Sequence, residues 1–291
     1  MINKPAITLF GNGALGGALR DFFTKKGYKI YSIWSSNEGS VFDESIGAFD
    51  KHNKSFPENS SDLGDIIFLS VPDHKVSELA HQLSELDINW SGKFVIHNSG
   101  SLPLASLKSL ADKGAKIASM HPIQTFHKGD DHSRFKDINI SLVGDEAVVG
   151  WLEGIIQKME AKALRIDENQ KQAIHLSAVM ASNYLVVLMN IAEEILKQNG
   201  VDQSIELLKP LIDQTLSNIF EKGASNSLTG PISRGDSSSV KLHLNKLSDQ
   251  KTADEIYRML GKKAIGIARS HNNLSIESAD LLLKLLIEKT E

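Results

Sequence analysis

The six residues Gly11-Asn12-Gly13-Ala14-Leu15-Gly16 constrain this chain more than any other stretch. They have the spacing G-x-G-x-x-G, and their context makes the match specific: the apolar run over 6–10 leads into them, and Leu15, Leu19, Phe22 and Phe23 recur at helical spacing afterwards. Residues 28–34 then alternate and carry β-branched and aromatic side chains, so they read as a second strand. Strand, glycine turn, helix and strand make a βαβ unit. In such a turn Gly11 permits the tight bend, Gly13 lets the backbone approach a pyrophosphate, and Gly16 lets helix and strand meet closely. The helix N-terminus offers unpaired N–H groups and the positive end of its dipole to phosphates. Gly11, Asn12, Gly13, Ala14, Leu15 and Gly16 are therefore the candidate dinucleotide-binding residues. The plain alternative is a glycine-rich turn that holds no nucleotide.

The rest of the chain extends this unit. The apolar run 65–71, stopped by Pro72, reads as a strand buried on both faces. A helix over 75–86, a strand over 94–96, a helix over 104–113 and a strand over 116–120 follow, and 138–143 reads as the last strand, with a helix over 146–159 behind it. Beyond Asp167 only helices are expected: one long helix over 169–198, then one capped by Asp202, bent by Pro210 and stopped at Gly223, then 240–247, 251–270 and 276–289. At 291 residues two domains are expected. The expected class is α/β, an N-terminal Rossmann-type, doubly wound parallel sheet over 1–166 followed by an all-helical C-terminal domain over 167–291.

Composition narrows the partners. The 32 Lys and Arg against 36 Asp and Glu give a net charge of −4, so no basic surface is expected to draw in nucleic acid or anionic lipid. The chain has no cysteine, which excludes thiolate nucleophiles and Cys-ligated zinc. The first residues show no signal-peptide pattern, and a cytoplasmic location is expected. Residues 173–192 are apolar and about long enough to cross a bilayer. His175, Ser177, Ser182, Asn183, Tyr184 and Asn190 make them too polar for a lone span, and a central helix buried by its neighbours is expected instead, with no membrane.

Candidate site residues cluster at the predicted strand ends, where open parallel sheets bind ligands. The second strand ends in Trp34-Ser35-Ser36-Asn37, with no acid directly at its end for a ribose 2′-hydroxyl. Ser35 and Ser36 suit a 2′-phosphate, which favours NADP, with NAD possible and a flavin the less favoured alternative. Val71, Pro72, Asn98 and Ser99 are further cofactor-binding candidates. His121 is the first catalytic candidate, since an ordinary imidazole can pass a proton to a carbonyl or imine as hydride arrives; a histidine before proline can equally serve to shape a turn. His175 and Asn183 fall roughly on one helix face and are the other catalytic candidates, with mutual hydrogen bonding as the bland alternative. Gln124, Thr229 and Arg234 are substrate-binding candidates, Arg234 as the strong anion binder of its turn and otherwise a partner for Asp236. His121, His127 and His132 lack a carboxylate at ligand spacing, and no metal is expected.

These residues carry a resemblance. The Gly11–Gly16 turn, Val71-Pro72-Asp73, His97-Asn98-Ser99-Gly100, His121-Pro122-Ile123-Gln124-Thr125-Phe126, His175 with Ser182-Asn183-Tyr184, and the turn 228–236 resemble a bacterial family of uncharacterised Rossmann-like proteins. Its members carry a helical C-terminal domain of unknown function and are often labelled deazaflavin-dependent NADP oxidoreductases. The layout is similar to pyrroline-5-carboxylate and ketopantoate reductases, in which the helical domain closes the substrate cleft and helps form a dimer. The resemblance implies an NADP-dependent oxidoreductase acting on a small carbonyl, imine or deazaflavin-type molecule, as a homodimer. A dinucleotide-binding or sensing protein without turnover is the alternative. Hydroxyacid dehydrogenases place a lysine one turn before an asparagine, and here Val179 stands four before Asn183, which sets that chemistry aside.

Overall fold

The computed structural model describes residues 4–35, 56–201 and 205–288. Ser36 and the Asp202 cap lie outside the described residues. Two compact units divide the chain, 1–182 and 183–291.

The first unit is a seven-stranded sheet between helices. Its strands are β1 (Ile7–Phe10), β2 (Ile30–Trp34), β3 (Ile66–Leu69), β4 (Phe94–His97), β5 (Lys116–Pro122), β6 (Asn139–Gly144) and β7 (Lys162–Arg165), and its helices are α1 (Ala14–Lys25), α2 (Asp73–Ser84), α3 (Lys108–Asp112), α4 (Glu146–Lys158) and α5 (Glu168–Ala178). The spatial order is β2-β1-β3-β4-β5-β6-β7. The strand order reverses direction at β1, between β2 and β3, so the crevice expected for a ligand opens at the carboxyl ends of β1 and β3.

Alternation along the strands builds two cores. Ile7, Leu9, Ile66, Phe68 and Ile96 face one way, with Leu19, Phe22 and Phe23 of α1 and Val148, Leu152 and Ile155 of α4. Phe10, Ile67, Leu69 and Val95 face the other way, with Val76, Ala80 and Leu83 of α2 and Leu107 and Leu110. Both faces of the central strands are dry, which explains why their sequences read as continuous apolar runs. The buried polar atoms of β1 and β2 satisfy one another: Thr8 Oγ1 and Ser32 Oγ are 3.0 Å apart, and Ser32 Oγ donates to the Asp62 carbonyl at 2.8 Å.

Two expectations for the sheet need correction. It is not wholly parallel: β5 and β6 pair antiparallel, with His121 opposite Ser141 and Pro122 opposite Ile140. That pairing carries β5 through His121, which stands in the strand rather than in the loop beyond it. Strand β6 is also not the last, because β7 pairs parallel with it. Strand β7 is four exposed residues on the sheet edge, too short and too polar to leave a period in the sequence.

The long helix over Glu168–Gln198 exists, but it holds a π-helical turn, Val179–Asn183, between α5 and α6 (Tyr184–Gln198). A capping box starts it: the Asp167 carboxylate accepts from the Gln170 backbone N–H at 2.8 Å and Gln170 Oε1 accepts from the Asp167 N–H at 2.9 Å. The units divide inside this helix rather than before it, because α5 is tied to the sheet unit. The helix is not buried by its neighbours: its apolar window is wholly unburied, and Leu176, Met180, Tyr184, Val186 and Val187 are exposed.

The second unit is helical: α6, α7 (Lys209–Lys222), α8 (Ser237–Lys246), α9 (Lys251–Ser270) and α10 (Ile276–Ile287). Val240, Leu244, Ile265, Ala268, Ala279, Leu282 and Leu286 form its core. Pro210 does not bend α7; it sits in its first turn, where the missing N–H costs nothing. Gly223 ends the same helix with φ +84°, a conformation that suits glycine. The carboxylate of Asp236 caps α8 by accepting from the Ser239 N–H at 3.0 Å.

Candidate active site

The glycine turn is folded against the end of β3. The Gly11 N–H donates to the Trp34 carbonyl at 2.7 Å, and a Cβ at Gly11 would stand 2.2 Å from the Ser70 carbonyl oxygen. A Cβ at Gly16 would stand 2.1 Å from the Gly11 carbonyl oxygen. Both positions exclude any side chain. Gly13 differs, because a Cβ there would meet nothing within 4 Å. It is the N-cap of α1, no side chain caps that helix, and no acid lies in the first turn. Open space faces uncapped N–H groups at the positive end of the helix dipole, an arrangement that fits an anion such as a pyrophosphate. Asn12, Ala14 and Leu15 complete this turn. Val71 is half-buried just past β3, and Pro72 is exposed at the N-cap of α2.

The ends of β3, β4 and β5 are laced together. Asn98 Oδ1 accepts from Ser70 Oγ at 2.7 Å, and its amide donates to the Met120 carbonyl at 2.9 Å. Ser99 Oγ and Ser101 Oγ donate to Asp73 Oδ2 at 2.7 and 2.6 Å. Asn98 and Ser99 therefore brace the rim, with their side chains committed to protein partners.

Behind this rim stand three histidines and a lysine. The His121 and His175 rings lie 5.7 Å apart at 73°. A Cβ at Gly100 would sit 2.5 Å from His175 Nδ1 and 2.7 Å from His121 Nε2, so both ring nitrogens face the space that this glycine leaves open. His97 is fully buried at the end of β4; its Nδ1 accepts from the Ser99 N–H at 3.2 Å, and its Nε2 has no partner. Burial pushes the His121 imidazole down to about 4, helped by the neighbouring His175 and by the Lys171 ammonium, against a weaker opposing pull from Asp73. The same causes, burial and then Lys171, push His97 down to about 3. The ordinary imidazole value expected for His121 is thus overturned: at neutral pH it is an uncharged donor or acceptor, not an imidazolium.

Lys171, on α5, is only 1% exposed. Its ammonium donates to the Leu102 carbonyl, and burial lowers its affinity for the proton against the opposing pull of Glu168 and Asp73. Sequence reasoning missed it by looking for a lysine one turn before Asn183. The legible signal was its place one turn before His175, with Glu168 three residues earlier, which puts all three on one stripe of α5.

The remaining candidates fall elsewhere. Ser35 follows β2 directly. Gln124 is exposed, its Oε1 accepting from the Thr125 N–H at 2.8 Å. Asn183, Thr229 and Arg234 are exposed residues of the second unit. The π-turn breaks the uninterrupted period that related His175 to Asn183. Asp236, next to Arg234, gives its oxygens to Ser238 and Ser239. Among the described residues Asp21, Asp131 and His132 bring three potential metal-ligand atoms together, with Asp21 supplied by α1 rather than by local spacing. Lys25 already fills that cluster, 3.3 Å from Asp21 and 3.2 Å from His132.

Comparison with known proteins agrees with this architecture. A Rossmann-like domain model matches residues 4–122, and the domain of unknown function DUF2520 matches 138–264. No curated protein matches the sequence. Among solved structures, the Bacteroides fragilis protein BF3122, provisionally described as an NADP oxidoreductase, is 23% identical with a TM-score of 0.75, over 91% of this chain and 100% of that one. Protein TM1727 from Thermotoga maritima is 27% identical with a TM-score of 0.67, over 91% and 99%. An imine reductase from Myxococcus stipitatus in complex with NADP+ is 16% identical with a TM-score of 0.61, over 97% and 100%. The chain thus joins a Rossmann-like domain to a DUF2520 domain, the combination expected from its sequence motifs.

Proposed function

We propose that the protein is an NADP-dependent oxidoreductase that passes a hydride to or from a small carbonyl, imine or deazaflavin-type substrate. The carrying observation is Gly13: an uncapped, acid-free helix N-terminus with open space above it, beside two glycines whose backbones exclude side chains. Asn12, Ala14 and Leu15 lend backbone to the pyrophosphate, and Ser35, directly after β2, receives the ribose end. The bound cofactor supplies the hydride. The protein positions the reacting atoms and handles the proton, with the uncharged His121 and its neighbour His175 as hydrogen-bond partners of the carbonyl or imine nitrogen. A histidine whose proton affinity is this strongly depressed at the sheet's ligand-binding edge favours turnover over a purely sensing role. The neighbours crystallised with NADP+ or NADPH4, among them a reductive aminase with cyclohexanone and allyl amine, support the same reading.

A fluorescence titration with NADPH and NADH tests it. The wild type is expected to bind NADPH more tightly, and Gly13→Ala to fold normally yet lose at least about tenfold in affinity, since its methyl group meets no protein atom and only the phosphate. Absence of binding by the wild type overturns the reading.

We also infer a homodimer. Phe220 is 86% exposed on α7, and Val186 and Leu211 are each about two-thirds exposed, so α6 and α7 both carry apolar side chains without cover. A second copy of the chain is the occupant proposed, in keeping with the dimers formed by the reductases of similar layout.

A further inference from the structure

We propose that Lys171 is the positioning residue of the His121–His175 pair, fastening the first turns of α5 to the turn after β4 so that the two imidazoles meet across Gly100. The proposal deepens the reductase reading, but its geometry lies wholly within the first unit. Two contacts from the same helix stripe reach the same turn: the Lys171 ammonium donates to the Leu102 carbonyl, and Glu168 Oε1 accepts from the Leu104 N–H at 2.8 Å. His175 stands one turn further along that stripe, and its Nδ1 faces Gly100, two residues before Leu102. Loosening Lys171 therefore frees His175 and the Gly100 turn at once, while His121 stays fixed in β5.

Packing alone does not explain a lysine here. A buried ammonium with one carbonyl acceptor is costly, and an apolar side chain of similar length would fill the space with less penalty. The charge acts on its surroundings. His97 at the end of β4 and His121 on β5 feel it as a repulsion that disfavours their protonation, while Asp73 at the start of α2 and Glu168 on α5 pull the other way on Lys171 itself. His175 completes the ring of titratable groups around it. Lys171 thus holds the pair in place and disfavours protonation of His121, so that this imidazole meets substrate as a neutral hydrogen-bonding group.

The test needs no substrate. Histidine ring nitrogens are followed by NMR through a pH titration of wild type, Lys171→Met and Lys171→Arg, with His121→Ala and His175→Ala to assign the signals. Lys171→Met is expected to raise the His121 midpoint by about half a unit or more and to abolish the ring-to-ring proton contact between His121 and His175, while Lys171→Arg keeps the midpoint low. A folded Lys171→Met protein with unchanged midpoint and unchanged ring contact overturns the proposal. Should that variant not fold, the Lys171 side-chain carbon is titrated in the wild type. A midpoint below that of ordinary lysines is expected, and an ordinary one overturns the proposal. The predicted shifts in a protein that binds neither NADPH nor NADH would leave the role of Lys171 standing and remove only the reductase reading.

Discussion

At the scale of the residue, two glycines of one turn have opposite jobs. Gly16 is needed by the fold, because its missing Cβ leaves room for the Gly11 carbonyl. Gly16→Ala is expected to cost about 2–3 kcal/mol or more by overpacking, read as a lowered denaturant midpoint. Gly13→Ala should leave that midpoint within about 0.5 kcal/mol of wild type, since the space above it is open. A large loss in Gly13→Ala would show that the position serves the fold after all. The buried histidines set a pH dependence. Folded His97 and His121 take up protons only near 3 and 4, whereas in the unfolded chain they do so near 6.5. Between those values the unfolded state binds more protons, so stability is complete above about pH 6.5 and falls as pH drops toward 4. The loss is up to about 1.4 kcal/mol per pH unit for each histidine. Urea unfolding at pH 7.5, 6 and 5 checks this, and His97→Phe should flatten the decline; a pH-independent midpoint contradicts it.

At the scale of the element, capping was legible because it acts within one turn. The Asp236 cap of α8 follows from its position alone, and the structure adds hydrogen bonds from Ser238 and Ser239 that hold its carboxyl well below the usual range, helped by Arg234. Asp236→Ala is expected to lower the thermal unfolding midpoint and Asp236→Asn to lower it much less. Equal losses would mean that the charge, not the cap, matters. Pro210 was misread as a bend because the 3-10 turn Ile205–Leu208 before α7 carries no signal to separate it from helix. The π-turn Val179–Asn183 was equally hidden, because an extra residue in a turn leaves no compositional mark.

At the scale of the whole molecule, the exposed apolar residues of α6 and α7 make the strongest demand. A dimer that covers them should bury on the order of 800 Å² or more per partner. Light scattering after size exclusion is expected to give twice 31.9 kDa. Phe220→Glu with Leu211→Glu should shift it to monomer while the helical circular dichroism persists. A wild-type monomer would contradict the dimer. The same residues explain the failed expectation of a buried central helix, because hydropathy reports that a face seeks cover but not which molecule provides it.

The sequence by itself determined the glycine turn, the two-sided burial of the central strands, the helical second half and most helix ends. All of these rest on spacing within a few residues, where backbone geometry and period leave a direct record. Only the tertiary structure decided that β5 runs on through His121 against an antiparallel β6, that His121 and His175 meet around Gly100, and that His97 is buried within electrostatic reach of His121. It alone decided that Lys171 is buried beside them. Those side chains come from β4, β5 and α5, and local periodicity carries no information about which strand ends converge. The depressed proton affinities of His97, His121 and Lys171 arise from burial, joined at the two histidines by repulsion from neighbouring groups, and both exist only once the chain has folded.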